Sequence, residues 1–361
     1  MFDYLNSLIG HAVQQPAPQH IQGVSAVANL IADDPNTPTQ SITTKALVIT
    51  YNPTMDPDPA TGKKLTDLEG WSSPDVLLNG YIASLLQVSN GLANHQIVQN
   101  IVLDEFPALS DGFQYTAQSF SSVLNGSTPM HSPSSIDYNA ILTRFNILQR
   151  VANNEFDEVW IMGFPYAGLY ESIMAGDGAF WCNAPALANT ASCNRRFVIM
   201  GFNYQRTVGE MLHSYAHRAE SIMAQVFNCQ DFLAWAYRPN RSPATISAGE
   251  TLNLFQRFIL YDQIAPGDAG VGLVHFAPNS KQDYDWGNQT QVNSTCYDWL
   301  AFPNLTGSTR SVDCSEWGNG DDGAYQQWWL SHLPKVIGIK NGIYNNWWHY
   351  IANPNHVYVN A

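Results

Sequence analysis

Basic residues are scarce in this sequence. Only 16 of the 361 residues are Lys or Arg, against 30 Asp or Glu, and the formal net charge is −14. Binding to nucleic acid phosphates requires a clustered excess of Lys and Arg, and anionic lipid surfaces attract the same residues. The composition therefore excludes nucleic acids and anionic membranes as partners, and we expect no membrane insertion.

Several motifs that carry well-known chemistry are also missing. The sequence contains no Walker A loop, no Rossmann glycine fingerprint, no GxSxG nucleophile elbow and no EF-hand loop. No CxxC pair occurs among its five cysteines, which argues against a structural zinc knot. Nucleotide and dinucleotide chemistry consequently has no support in this sequence.

The five cysteines are Cys182, Cys193, Cys229, Cys296 and Cys314. Their spacing predicts two local disulfides, Cys182–Cys193 and Cys296–Cys314, with Cys229 free. Each bridge would close a short loop and stabilise the fold by roughly 3 kcal/mol. The alternative is five buried thiols, because free cysteine behaves as a small core residue. Paired cysteines, low charge and many Asn and Trp together predict an extracellular, secreted protein.

The apolar residues that are present indicate a globular α/β fold. Hydrophobic residues make up 45% of the chain, which excludes disorder. Short apolar runs predict strands near 46–51, 97–103, 158–163 and 197–200. Helical spacing lies at Val76–Leu86, Tyr138–Val151 and Leu252–Tyr261. Strands that alternate with helices predict a mainly parallel sheet flanked by helices.

The predicted organisation has three parts. Residues 1–44 are rich in Pro and polar residues and form an extended N-terminal arm or loops. Residues 45–230 form the α/β core. Residues 231–361 form an irregular C-terminal lobe, rich in Trp, Asn and Gly, that is integrated with the core and packed over the strand ends. Seven of the 11 tryptophans lie between Trp286 and Trp348, so this lobe is either a stacking platform for sugars or peptides or a Trp-rich core.

One stretch carries the strongest functional signal. Residues 196–227 predict a buried strand followed by a long amphipathic helix. Glu210, His213, His217 and Glu220 stand at i, i+3, i+7 and i+10 and therefore share one stripe of that helix. Two imidazoles one turn apart are the spacing by which a helix offers ligands to a divalent metal. The alternative is a solvated polar face.

The segment HSYAH, residues 213–217, resembles the HExxH helix of zinc peptidases in its paired histidines. Ser214 stands where that family has its general base, so the peptidase activity does not follow. Glu210 or Glu220 is expected to act as the base instead, or as a ligand or a group that orients the histidines. His275 is the predicted third ligand, because it follows a strand-like run and is bounded by Gly and Pro.

These residues predict a zinc-dependent or other metal-dependent hydrolase that acts on a carbohydrate or peptide in an aromatic-lined cleft. We expect the histidine stripe to line a concave site beneath the Trp-rich lobe. One alternative is a metal-independent glycoside hydrolase with paired carboxylates. Its candidate carboxylates are Asp104, Glu105, Glu171 and Asp285. A further alternative is a non-catalytic carbohydrate-binding surface protein.

Overall fold

The computed structural model describes residues 40–55, 62–237, 246 and 250–358. All of these residues belong to one compact unit, Asn36–Ala361. The predicted N-terminal arm lies outside the described residues as far as residue 39, and the first strand begins at Ile42.

A five-stranded sheet forms the centre of the described structure. Its strands are β1 (Ile42–Tyr51), β2 (Ala93–Leu103), β3 (Glu158–Gly163), β4 (Ser172–Ala175) and β5 (Phe197–Asn203). They lie in the order β2-β1-β3-β5-β4. The first four strands in that order are parallel, whereas β4 is antiparallel to β5. The predicted α/β class and its mostly parallel sheet are therefore confirmed, with β4 as an antiparallel addition.

Helices and short strands fill the connections. The helices are α1 (Leu65–Glu69), α2 (Pro74–Val88), α3 (Ala117–Leu124), α4 (Tyr138–Arg144), α5 (Ile147–Ala152), α6 (Val208–Val226), α7 (Gln230–Ala236), α8 (Leu254–Phe258), α9 (Cys296–Trp299), α10 (Asp322–His332) and α11 (Trp348–Ala352). Two further two-stranded antiparallel sheets pair β6 (Val292–Ser294) with β7 (Arg310–Val312), and β8 (Lys335–Lys340) with β9 (Ile343–Asn346). None of the described helices is long and apolar enough to cross a membrane.

The helix predicted over Tyr138–Val151 is two helices. Asn146 adopts a left-handed conformation with φ 51° and precedes α5 as its N-cap residue. A left-handed residue cannot continue a right-handed helix, and Asn tolerates this conformation better than most residues. The chain therefore turns between α4 and α5.

Strand β4 places one carboxylate at the edge of the sheet where the parallel strands end. Because β4 runs antiparallel to β5, its first residue, Ser172, pairs with Met200 in the middle of β5, and the preceding Glu171 lies further towards the carboxyl end of β5. The Gly201 N–H donates to the Glu171 carbonyl at 3.1 Å. A Cβ at Gly201 would lie only 2.2 Å from the Tyr170 carbonyl oxygen, so this close approach requires glycine. Glu171 consequently lies where β5 leads towards α6, the edge at which α/β folds bind ligands.

Helix α6 is buried on both of its faces. It begins after Thr207, whose side chain accepts a hydrogen bond from the Gly209 N–H. All residues from Met211 to Ala224 are buried, and the helix packs against α2, α10 and α11. Arg218 is fully buried and forms an ion pair with Glu158 of β3. The expected amphipathic helix is thus covered on its histidine stripe as well as on its apolar stripe.

The C-terminal residues are more regular than their composition suggested. The tryptophan pair at 328–329 lies in α10 and the pair at 347–348 lies at the start of α11. Of the seven clustered tryptophans, six are buried: Trp286, Trp299, Trp317, Trp329, Trp347 and Trp348. The ring centroid of Phe258 lies 5.2 Å from that of Trp299 and 5.5 Å from those of Trp329 and Trp347. These tryptophans therefore form hydrophobic core, and an exposed stacking platform is not their role.

The predicted disulfides are wrong, because all five cysteines are free and buried. Each thiol occupies its own site in the core. The sulfur of Cys182 lies 3.6 Å from the Ser172 hydroxyl, and that of Cys193 lies 3.2 Å from the Arg195 carbonyl oxygen. Nearness in sequence does not bring two Cβ atoms within bonding range. The protein is therefore not disulfide-bonded, and the sequence argument for secretion loses its main support.

Candidate metal centre

Three histidines meet at the carboxyl edge of β5. His213 and His217 project one turn apart from α6, and His275 lies in the loop that follows Leu273 and Val274. The Nε2 atom of His217 lies 3.1 Å from Nε2 of His213 and 2.9 Å from Nε2 of His275. All three residues are buried, with at most 8% exposure. The structure thus brings together the three histidines that the sequence singled out as metal ligands.

The opposite nitrogen of each ring faces a carboxylate. The Nδ1 atom of His217 lies 3.0 Å from Glu220 Oε2. That of His213 lies 3.4 Å from Asp322 Oδ1, and that of His275 lies 3.3 Å from Asp283 Oδ1. An ionised carboxylate only accepts hydrogen bonds, so Nδ1 carries the proton in each neutral ring. The Gln326 amide nitrogen also lies 3.2 Å from His213 Nδ1, but its two hydrogens serve Asp322 Oδ1 and the Val274 carbonyl. With this assignment the three Nε2 atoms present unprotonated lone pairs to one another.

Such an arrangement needs a positive charge between the rings. The His217 lone pair lies about 3 Å from those of His213 and His275, and lone pairs this close repel each other unless a cation or a shared proton lies among them. Four carboxylates surround the cluster. Nitrogens bound about 2.1 Å from a tetrahedral zinc ion would lie roughly 3.4 Å apart, close to the two distances from His217 Nε2, and all three ligand atoms lie within 4.8 Å of one another. A carboxylate on the remote nitrogen is also the usual second sphere of a metal-bound histidine. The three residues therefore fit a divalent metal.

Burial and the neighbouring charges also shift the pKa values of the histidines. Burial lowers the pKa of His275 to about 4, with His217 and His213 contributing in the same direction against the opposing effect of Asp283. For His213, burial lowers the pKa, but Asp322 and Glu171 raise it by more, so its pKa is above the ordinary value. His275 is thus held in the neutral form that binds metals, while the surrounding carboxylates favour a cation at the centre.

Glu220 is bound on both oxygens and orients the cluster. Its Oε2 accepts a hydrogen bond from the Tyr237 hydroxyl at 2.6 Å as well as from His217, and its Oε1 accepts one from the Val274 N–H at 2.8 Å. Its side chain is almost completely buried. With its lone pairs engaged, Glu220 fixes His217 and the backbone that carries His275.

Glu171 is the carboxylate that lies beside the Nε2 side of the histidine cluster and is also accessible to solvent. Its Oε2 lies 3.9 Å from His217 Nε2, and 44% of its side chain is exposed. The Asn183 amide donates to the same oxygen at 2.7 Å. Desolvation raises the pKa of Glu171, but the neighbouring histidines and Asn183 lower it by more, so the net shift is downward. The arrangement places an oriented carboxylate on the open side of the cluster.

The other predicted carboxylates lie elsewhere. Glu210 forms an ion pair with Arg206 at 2.7 Å on the first turn of α6. Asp104 pairs with Lys64 at 2.8 Å, and Glu105 pairs with Arg144. Asp285 accepts hydrogen bonds from the Lys281 N–H and the Asn288 amide. Each of these carboxylates thus has its own partners, and of the glycosidase candidates only Glu171 lies at the histidine cluster.

Sequence reasoning missed several residues of this site. They are Asp322 and Gln326 of α10, Asp283 and Tyr284 after His275, Tyr237 after α7, and Asn183 before β5. Asp283 stands eight positions after His275, a distance that a turn can close. For Asp322 the sequence carries no such signal, because it lies 109 positions from His213.

Comparison with known proteins adds little. No protein family matches the chain by sequence, and no curated protein matches it significantly. One solved structure, titled "Structure of a chaperone-substrate complex", is 16% identical with a TM-score of 0.23. The similarity covers 50% of this chain and 23% of that chain. A similarity this low supports no conclusion about fold or function.

Proposed function

We propose that the protein is a metal-dependent hydrolase in which His213, His217 and His275 bind a zinc ion and Glu171 acts as the general base. The observation that carries the proposal is the convergence of the Nε2 atoms of three buried histidines, each of which has a carboxylate beside its Nδ1 atom. A zinc ion bound by three protein ligands keeps its fourth position for water or substrate.

The surroundings of the cluster favour catalysis over a purely structural metal. A structural zinc site is closed by four protein ligands, whereas here the described residues group three histidines as ligands, and the half-exposed Glu171 lies 3.9 Å from His217 Nε2. A divalent metal at this position would act as a Lewis acid and make a water molecule more acidic. Glu171 then accepts the proton of that water, and Asn183 holds the carboxylate in place.

Access to substrate is expected from the side of Glu171. The residues that cover the histidine cluster come from the C-terminal part of the chain, namely the loop around His275 and the start of α10. Two exposed aromatic residues lie next to site residues in the sequence: Trp181, 47% exposed, precedes Asn183, and Tyr284, 44% exposed, follows Asp283. Such side chains can pack on a peptide or a sugar, so a peptide or carbohydrate conjugate remains the proposed substrate class.

Metal analysis of protein purified without added metal tests the proposal. We expect about one equivalent of zinc or another divalent ion per chain by plasma mass spectrometry, and loss of that ion in His213→Ala, His217→Ala and His275→Ala. The matched control is His131→Ala, because His131 also pairs with a carboxylate, Asp111 at 2.7 Å, outside the cluster. Equal metal content in the cluster variants and the control would contradict the proposal.

The variant Glu171→Gln tests the role of Glu171 as the general base independently of metal binding by the histidines. This variant keeps the size of the side chain and its position beside His217, but it cannot accept a proton. We expect it to retain most of the metal and to lose about 10²- to 10⁴-fold in kcat. Full activity of a metal-loaded Glu171→Gln variant would remove Glu171 from the mechanism.

A further inference from the structure

Tyr284 packs directly over the histidine cluster and faces solvent. Its ring centroid lies 4.3 Å from that of His275 and 6.2 Å from that of His213, nearly parallel to the latter. The side chain is 44% exposed. Tyr284 therefore contacts the buried imidazoles with one part of its ring while the rest of the side chain is open to solvent.

The backbone at Tyr284 is in an unfavourable conformation. Its φ of 61° lies in the left-handed region, which is rare for a bulky residue and costs on the order of 1–3 kcal/mol. The conformation is held by the Tyr284 N–H, which donates to the His275 carbonyl at 3.0 Å. In extended backbone, consecutive side chains point to opposite sides. Here Asp283 binds His275 Nδ1 while Tyr284 packs on the same ring.

A comparison with Tyr237 shows that the hydroxyl of Tyr284 is available. Both tyrosine rings contact His275, but the Tyr237 hydroxyl is bound to Glu220 at 2.6 Å. Among the described residues, none accepts a hydrogen bond from the Tyr284 hydroxyl. A tyrosine hydroxyl is both a donor and an acceptor, so this phenol can donate a hydrogen bond to a group that enters the site.

We propose that Tyr284 is a catalytic residue whose phenol donates a hydrogen bond to the oxyanion formed at an attacked carbonyl, and that the substrate is therefore an amide or ester. This inference rests on the proposed metal-dependent hydrolysis. The strained backbone, the uncommitted hydroxyl and the position over the cluster all support it. A preorganised donor aimed at developing negative charge is among the largest contributions to acyl transfer.

The reaction balances with the groups present. Water attacks the carbonyl carbon, a C–O bond forms, and the π electron pair moves to the carbonyl oxygen, where the Tyr284 hydroxyl meets it. Glu171 accepts the proton that the water loses. The tetrahedral species then collapses, the bond from carbon to the leaving nitrogen or oxygen breaks, and Glu171 returns the proton to the leaving group. The products are a carboxylic acid and an amine or alcohol.

A glycosidic bond fits these groups less well. Glycoside hydrolysis passes through a positively charged, oxocarbenium-like transition state between two carboxylates. A bound cation and a phenol donor stabilise negative charge instead. Asp104 and Glu105, the other glycosidase candidates before β3, are engaged with Lys64 and Arg144.

Tyr284→Phe tests the inference, because it removes only the hydroxyl and keeps the ring. The metal-loaded protein is assayed with p-nitrophenyl acetate and with a casein digest whose new termini are read by mass spectrometry. We expect kcat to fall about 10²-fold with KM changed less than about threefold, the loss typical of one oxyanion donor. Metal content should equal that of the wild type. Tyr166→Phe is the matched control, since Tyr166 is 41% exposed and also has a positive φ, 65°.

The results of the Tyr284→Phe assays can be distinguished from the result of the metal analysis. Wild-type kcat in metal-loaded Tyr284→Phe would overturn the role of the phenol. Metal-loaded wild type that cleaves neither probe, or that cleaves p-nitrophenyl glycosides instead, would overturn the substrate class. Absence of metal from the wild type would be seen separately in the elemental analysis and would overturn the proposed function itself.

Discussion

The Nε2 atoms of His217 and His275 lie 2.9 Å apart, although the residues are 58 positions apart in sequence. The same two residues are linked a second time through Glu220, which binds His217 Nδ1 and the Val274 N–H. One helical carboxylate thus sets both the angle of the first ring and the position of the second. The histidine cluster is consequently a property of α6 and of the loop after α8 together.

The carboxylates behind the rings are expected to control metal affinity. Glu220→Gln, Asp283→Asn and Asp322→Asn each replace an acceptor of an Nδ1 proton, which lowers the basicity of the ligand and loosens its orientation. We expect a 10- to 100-fold loss of metal affinity in each variant, measured by competition with a chromophoric chelator. Glu155→Gln, at an exposed ion pair with Arg150, is the control. Affinities unchanged in the three variants would show that these carboxylates do not support the ligands.

Gly201 is expected to be required for the position of Glu171. In Gly201→Ala the new methyl group would lie 2.2 Å from the Tyr170 carbonyl oxygen, so β4 must move away from β5. Forced packing of this kind costs about 1–3 kcal/mol of the free energy of unfolding, and it should lower kcat by displacing Glu171. Gly287→Ala is the control, because its methyl group would meet Gly320 at 3.7 Å, an ordinary contact. The free energy of unfolding, from urea denaturation, and kcat are measured for both variants. Equal values of both quantities in Gly201→Ala and Gly287→Ala would contradict the prediction.

The buried ion pair of Arg218 and Glu158 is expected to be costly to break. Arg218 is fully buried, and its guanidinium also donates to the Ile351 carbonyl at 3.0 and 3.2 Å. Arg218→Leu removes the permanent positive charge beside Glu158 and leaves this carboxylate only the Trp160 N–H at 2.8 Å and the His95 ring at 3.3 Å, so it should cost about 3–5 kcal/mol in the free energy of unfolding. Adding Glu158→Gln should recover part of that loss, because it removes the uncompensated charge.

The control for this measurement is Arg144→Leu. Arg144 pairs with Glu105 near the surface, with 48% of its side chain exposed, so its removal should change stability by no more than about 1 kcal/mol. A similar loss of stability in Arg218→Leu and Arg144→Leu would show that burial does not determine the cost of breaking these ion pairs.

Stability is expected to fall in mild acid, and His332 is one of the causes; His275, whose pKa burial also lowers to about 4, contributes over the same pH range. Burial lowers the pKa of His332 to about 4, from an ordinary value of 6.5. Between these values the unfolded chain binds a proton that the folded protein excludes, so stability falls as the pH drops from about 6.5 to about 4. The loss should reach about 3 kcal/mol at the lower end. His332→Leu should flatten this part of the stability profile, measured by denaturation at several pH values, and an unchanged slope would contradict the assignment.

The sequence alone was sufficient for the elements whose signals are local. The strands near 46–51, 97–103, 158–163 and 197–200 were predicted because buried parallel strands are short apolar runs. The helix with His213 and His217 was predicted because the helical period fixes which side chains share a face. Strand β4 escaped notice because its four residues form a strand only by pairing with β5.

The roles of individual residues depended on the tertiary structure. Glu220 and Glu171 were both candidate catalytic carboxylates, but Tyr237 and Val274 engage Glu220 whereas Glu171 stays open to solvent. The clustered tryptophans fitted either a binding platform or a core, and neighbours such as Phe258 make them core. The sequence determined a histidine pair with metal-ligand spacing and a mostly parallel α/β core, since both follow from short-range periodicity. Only the fold decided the third histidine's position, the partner of each ring and the free state of the cysteines, because these depend on contacts between residues far apart in the chain.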